Sequence, residues 1–564
     1  MTISRREFFV AATAMATLAA GSGVPLGRLA AEGRLSQDDL LSFDPVGNVT
    51  LIHLTDIHAQ LVPIYFREPS ANFGVGAARG QVPHITGAEF RKAFRLSEGS
   101  ALAYALTSDD FDSLARVYGR MGGLDRIATV VKAIRAERGD RTLLLDGGDT
   151  WTNSWSSFQS KGQDMVDAMS LLKPDAMTGH WEFTLGEARV REIVDKLGFP
   201  FLAQNVRDNE FEEKVFEASH IFERGGVKIG VIGQAFPYTP IANPRWMIPN
   251  WAFGIREREL AEEVEKIRAD GADLVVLLSH NGFDVDRKLA ERVPGIDVVL
   301  SGHTHDAVPE VTVIGKTLLV ATGSNGKFVS RLDLDVQSKK IAAFRYRLIP
   351  IFSDAITPDP EMKAQIEKVR EPYMKDLTRV LGKTDGFLYR RGNFSGTLDT
   401  LICDAILEER DVEISLSPGV RWGPSLLPDS PITFEDVTNA TAMSYPACYR
   451  MTMTGERLKE VFEDVADNIF NPDPYFQQGG DMVRSGGLKY TIDISQPIGK
   501  RISNMTLARN GEALEPSKEY TIGGWASVNE GTEGPPIWDV VSNYISKKKV
   551  VSVNPGMAVD VKGV

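Results

Sequence analysis

At 564 residues the chain is too long for one ordinary hydrophobic core and should divide into at least two domains. Its 43% hydrophobic and 25% charged content is that of a soluble globular protein. A net charge of −13 argues against a general nucleic-acid or anionic-membrane surface, although metals and a few arginines can invert the field locally around an anionic substrate.

The N-terminus reads Ser4-Arg5-Arg6-Glu7-Phe8-Phe9, followed by an apolar run from Val10 to Ala20. A twin-arginine pair ahead of a short apolar region is an export signal, and the run falls short of the ~20 residues that span a bilayer. Residues 1–31, ending at Leu29-Ala30-Ala31, are therefore expected to be a cleaved signal peptide. The mature protein is expected in the bacterial periplasm, without a membrane span and as a monomer.

Next comes the apolar run Thr50-Leu51-Ile52-His53-Leu54, a predicted strand, ending in Asp56-Ile57-His58. The long segment from there to Gly122-Gly123 follows a chemistry-bearing strand directly, and is expected to form an active-site wall or docking surface. His84, within it, is expected in a solvated loop. Periodicity predicts a helix over 124–138 and a strand over 141–145 that leads to Gly148-Asp149, with Trp151 and Trp155 close behind. Helices are predicted over 187–197 and 256–269, and a strand over 227–232. Two further apolar strands follow, Leu274 to Leu278 before Ser279-His280-Asn281, and Gly295 to Leu300 before Ser301-Gly302-His303-Thr304-His305-Asp306.

Four apolar strands thus end in Asp or His, and in a parallel α/β sheet such ends share one edge, where ligand sites lie. Imidazole nitrogens and carboxylate oxygens converging there suit manganese, iron or zinc, and the four together read as a two-metal hydrolase. His53 and His220 are expected to be structural. A polar helix over 358–381 reads as a linker, and Cys403 and Cys448 as buried thiols rather than a disulfide framework.

The motifs Asp56-x-His58, Gly148-Asp149, Ser279-His280 and Gly302-His303-x-His305 resemble those of the calcineurin-like metallophosphoesterases, in their 5'-nucleotidase branch. The resemblance implies a four-layer αββα domain at 46–355, a helical linker at 356–383, and a smaller α+β substrate-binding domain at 384–564. It implies that Asp56, His58, Asp149 and His305 hold one metal, and that Asp149, His180, His280 and His303 hold the other. Gly419-Val420-Arg421 stands where nucleotidases have Gly-Gly-Ile-Arg, which makes Arg421 an expected oxyanion ligand. Asn205 lies in a stretch similar to their Ala-Asn strand and is expected at the substrate.

One motif departs from the pattern. Nucleotidases have Gly-Asn-His-Glu-Phe-Asp; here the stretch is Gly179-His180-Trp181-Glu182-Phe183-Thr184. His180 can still ligate, but Trp181 replaces the catalytic His and Thr184 the Asp that orients it. A ribose alkoxide needs a positioned acid, typically worth ~10²–10⁴-fold, whereas a thiolate or persulfide leaves as an anion without one. The two phenylalanines of the nucleobase clamp are also missing: Ser527 aligns with one, and Met443 or Ser444 with the other, beside Tyr445.

With the twin-arginine signal and the long insertion, this pattern resembles the thiosulfohydrolases of bacterial Sox sulfur oxidation. That resemblance implies two manganese ions and a SoxYZ-type carrier protein whose cysteine bears the substrate. Trp181, with Trp151 or Trp155, would line a narrow channel for the carrier arm. A periplasmic 5'-nucleotidase or sugar-nucleotide hydrolase, and a non-catalytic binding protein, are the competing expectations.

Overall fold

The computed structural model describes residues 35–553 and 559–564; the twin-arginine segment lies outside the described residues. In chain order the first domain contains strands β1 (Val49–Leu54), β2 (Thr142–Asp146), β3 (Ala176–Met177), β4 (Ser219–Arg224), β5 (Val227–Gln234), β6 (Leu274–Ser279), β7 (Val298–Ser301), β8 (Thr312–Ile314), β9 (Thr317–Ala321), β10 (Phe328–Gln337) and β11 (Lys340–Pro350). They form two sheets rather than one, ordered β11-β10-β1-β2-β3 and β8-β9-β7-β6-β5-β4. The pairs β1–β2, β5–β6, β6–β7 and β7–β9 are parallel.

The strands are buried on both faces, which is why they read as continuous apolar runs. Successive residues nevertheless enter different cores. Leu51, Leu143, Leu145, Val276, Leu278 and Leu300 point between the sheets. Ile52 and Leu144 point outward under helix α1 (Leu124–Arg138), through Ile127, Val130 and Val131. Val275, Leu277 and Val299 point outward under α2 (Glu257–Ala269) and α3 (Phe283–Arg292), against Leu260, Val264 and Leu289. The result is a four-layer αββα sandwich.

The second domain is a mixed α/β unit. Its four-stranded sheet has the order Tyr449–Thr454, Glu519–Gly524, Ile414–Gly419, Asp481–Gly486, flanked by helices Thr397–Arg410 and Gly455–Phe470. The helix expected over 358–381 is broken: Pro360–Arg370 is α-helix, Glu371–Tyr373 is 3-10, and Val380–Thr384 is already a strand. Pro372, which cannot donate to a continuing helix, marks the break. Among the described residues no helix is long and apolar enough to cross a membrane.

The segment between β1 and α1 runs between the domains and is bonded to both. Ser425 N donates to Tyr65 O at 2.7 Å, Arg67 N to Ser425 Oγ at 3.1 Å, and Phe73 N to Asn393 Oδ1 at 2.6 Å. The Arg67 guanidinium lies 3.9 Å over the Tyr389 ring, and Phe111 packs on Phe387. On the first-domain side, Lys327 forms a buried ion pair with Glu68 at 2.8 Å. His84 is not solvated: its Nε2 lies 2.6 Å from Asp284 Oδ2, with 14% of its side chain exposed.

Candidate metal centre

The ligand-bearing strands end at a common point across the gap between the sheets, not along one sheet edge. Asp56 and His58 follow β1, Asp149 follows β2, His280 follows β6, and His303 and His305 follow β7. His180 follows β3. Two groups of side chains result, Asp56, His58, Asp149 and His305 in one, and His180, His280 and His303 in the other, with ligand atoms within 4.8 Å of one another in each. Asp149 faces both: its Oδ1 is 3.4 Å from His58 Nδ1 and its Oδ2 is 3.2 Å from His180 Nδ1.

Aiming side chains from separate strands at one point requires sharp turns. Asp56, His58, Asp149, His303 and His305 all have φ between 52° and 76°, a left-handed backbone uncommon outside glycine. Such strain persists only where surrounding structure over-determines it, and it concentrates at functional sites. Here the loops are cross-bonded: Asp56 N donates to Gly148 O, His58 N to Asp149 O, and His303 N to Asp56 Oδ2 at 3.0 Å. Gly302 admits this approach, since a Cβ there would lie 2.4 Å from Thr55 Oγ1 and 3.1 Å from Asp56 Oδ2.

Two buried carboxylates hold the ligand loops, and neither was marked in the sequence. Glu182 accepts from the backbone N–H groups of Asp149, Thr150, Trp151 and His180, at 2.6–3.2 Å, and so fixes two cluster residues together. Asp286, on α3, accepts from Ser279 Oγ at 2.7 Å, Asn281 Nδ2 at 2.9 Å and Ser301 Oγ at 2.5 Å. It therefore clamps the strand ends that present His280 and His303.

The donors suit divalent cations. Burial pushes His180 down to about 4 and His305 to about 3, so both are neutral with a lone pair to give. Burial would raise the Asp56 carboxyl, but His280 and His305 outweigh it and hold it below the carboxylate range. His280 Nε2, Asp149 Oδ1, His58 Nδ1 and His305 Nδ1 are buried in the cluster without a hydrogen-bond partner among the described residues. Buried polar atoms left so unsatisfied ask for an ion, and the two groups make the site a dinuclear metal centre.

The second domain closes the other side. Trp181 sits against it, its ring parallel to Tyr445 at 5.9 Å and edge-on to Trp422 at 5.0 Å, while Trp422 also lies 5.1 Å from the His58 ring. Arg421 donates to Asp481 Oδ1 at 3.2 Å, Thr304 O at 3.0 Å and Gly480 O at 2.5 Å, leaving two of its five N–H groups. Arg391, missed in the sequence, is buried, and its Nε and Nη1 have no partner among the described residues. Its charge acts on His305, Asp306 and Arg421.

Two expected substrate residues are enclosed in the core. Trp151 is fully enclosed and packs on Phe201, because the left-handed turn at Asp149 sends the chain back into the core. Asn205 is also fully buried, its amide donating to Ala235 O and Gly254 O and its oxygen accepting from Ala235 N. Trp155 packs edge-on against Phe434 and Trp538 of the second domain. His53 is buried on Thr322, and His220 is half-exposed beside Glu217. Cys403 and Cys448 are free buried thiols, each pushed up to about 12 by burial.

Comparison with known proteins agrees with this geometry. Residues 49–307 match the calcineurin-like phosphoesterase family, and residues 380–541 match the 5'-nucleotidase C-terminal domain. The chain is 25% identical to bovine 5'-nucleotidase over 511 residues, 79% of this chain and 86% of that one. It resembles the structure of sulfate thiohydrolase SoxB from Thermus thermophilus at 35% identity and a TM-score of 0.89, covering 93% of this chain and 98% of that one. A 5'-nucleotidase precursor from Thermus thermophilus shares the fold at 21% identity and a TM-score of 0.72, over 92% of this chain and 100% of that one. The chain therefore belongs to the 5'-nucleotidase family of calcineurin-like metallophosphoesterases and carries that family's C-terminal domain.

Proposed function

We propose that the protein is a periplasmic dimanganese thiosulfohydrolase, which releases sulfate from a thiosulfonate borne on a cysteine of a SoxYZ-type carrier. One observation carries this reading: the motif that should supply the leaving-group acid has Trp181 and Thr184 instead. The Trp181 ring is occupied in an aromatic set, and the Thr184 hydroxyl donates to Trp181 O at 2.8 Å. The 35% identity to a sulfate thiohydrolase supports it.

When bound, a divalent metal pair supplies Lewis-acid polarisation and acidifies water at neutral pH. Asp56, His58, Asp149 and His305 would hold one ion, and His180, His280 and His303, with Asp149 shared, the other. Manganese is the proposed metal; zinc and iron suit the same donors. In the reaction, a water oxygen forms a bond to the terminal sulfonate sulfur, the sulfur–sulfur bond breaks, and its electron pair leaves on the sulfane sulfur. Sulfate and two protons are released, and the carrier keeps a persulfide anion that needs no proton donor. Arg391 and the free donors of Arg421 hold the sulfonate oxygens, and Trp181 with Trp422 and Tyr445 lines the approach for the carrier arm.

The test is a paired assay on manganese-loaded protein: sulfate from a carrier cysteine bearing thiosulfonate, and phosphate from a 5'-nucleotide. Sulfate without phosphate is expected. Nucleotidase relatives of 24–26% identity favour the second reading, and phosphate without sulfate would establish it. Metal uptake with neither product would point to a non-catalytic binding protein.

A further inference from the structure

Two cluster histidines are oriented by backbone carbonyls. His280 Nδ1 lies 2.6 Å from Gly147 O, within its own domain. His303 Nε2 lies 2.8 Å from Gln478 O, which belongs to the second domain, in the loop between helix Gly455–Phe470 and strand Asp481–Gly486. A carbonyl oxygen only accepts, so Nε2 must carry the His303 ring proton, and the lone pair is left on Nδ1. Partners of this kind set the tautomer and the ring angle of a ligating imidazole.

We propose that the second domain is a structural part of the metal centre: the Gln478 carbonyl fixes His303 as the Nε2–H tautomer, so the His180–His280–His303 side is complete only with this loop seated. The loop is built for that approach. Gly479 has φ +75°, and a Cβ there would lie 2.5 Å from His303 Nε2. It is also tethered to the first domain: Arg421 bridges Gly480 O to Thr304 O, beside His303, and Lys288 Nζ bonds Asp473 Oδ1 at 2.6 Å. Gln478 is thus a positioning residue, acting on one ion through His303. The inference rests on the dinuclear reading of the site and is independent of the leaving-group chemistry.

The test compares the manganese-loaded full-length wild type, Gly479→Ala and Gly480→Ala after dialysis against a weak chelator, with metal measured by mass spectrometry. Gly480, at φ +81°, is the control: the nearest atom to its added Cβ is Gly419 O at 3.8 Å, so it repeats the backbone strain without touching His303. Wild type and Gly480→Ala should keep two ions per chain, and Gly479→Ala one. Two ions in Gly479→Ala, or equal loss in both variants, would overturn the proposal. Fewer than two in wild type would overturn the dinuclear reading and the proposal with it. Should Gly479→Ala not fold, ¹⁵N-histidine spectra of the metal-free wild type decide, with His303→Asn identifying the signal. An Nε2–H tautomer is expected, and Nδ1–H would overturn the proposal.

Discussion

The two walls of the cleft are made differently. The first-domain wall places seven ligand residues at strand ends, five of them in left-handed backbone, inside a lattice of loop-to-loop hydrogen bonds. The second-domain wall offers Arg391, Arg421, Trp422, Tyr445 and a backbone carbonyl, gathered from loops far apart in sequence. One wall supplies every side chain that would hold a charge-dense ion; the other, apart from the Gln478 carbonyl that orients His303, shapes a surface that recognises what reaches it. Substitutions should separate these duties.

The largest effect is expected from Asp149→Ala, which removes the carboxylate facing both groups. Activity should fall to background and metal content should collapse, measured together on one preparation. A variant still hydrolysing substrate with its metals lost would break the comparison. Asp286→Asn acts behind the same wall, since an amide cannot accept at both oxygens from the three donors that meet there. A loss of about 10–100-fold in metal affinity is expected by chelator competition. On the opposite wall, Arg391→Gln should lower kcat/KM about tenfold, the scale of one hydrogen bond to a charged group, with metal content unchanged. Coupled loss of metal would merge the walls. Trp155→Phe should have the smallest effect, about 1 kcal/mol from weakened edge-on ring contacts, read as a lower unfolding midpoint at unchanged kcat.

The difference between the walls also explains what was legible in the sequence. Strands buried on both faces announce themselves as apolar runs, and residues just past their ends are constrained to the site, so Asp56, Asp149, His280 and His303 stood out. That two sheets and not one carry them was legible only through the family resemblance, which implied the αββα sandwich, because both arrangements give the same apolar runs. Nearness along the chain misled at Trp151, where two residues beyond Asp149 the backbone has turned into the core. Likeness to another family's strand misled at Asn205, whose amide is spent on Ala235 and Gly254. Arg391 looked like any arginine until its buried Nε and Nη1 were seen to lack a partner among the described residues. The Gln478 carbonyl has no side-chain signature at all, since any residue at that position would present it.

The segment between β1 and α1 carries a consequence for access. It is bonded to Ser425 and Asn393 on one side and, through the buried Glu68–Lys327 pair, to the first domain on the other. Those bonds would have to break for the two domains to hinge open around a bulky guest. With the bonds kept, access to the two ligand groups favours a guest that is slender and long rather than bulky.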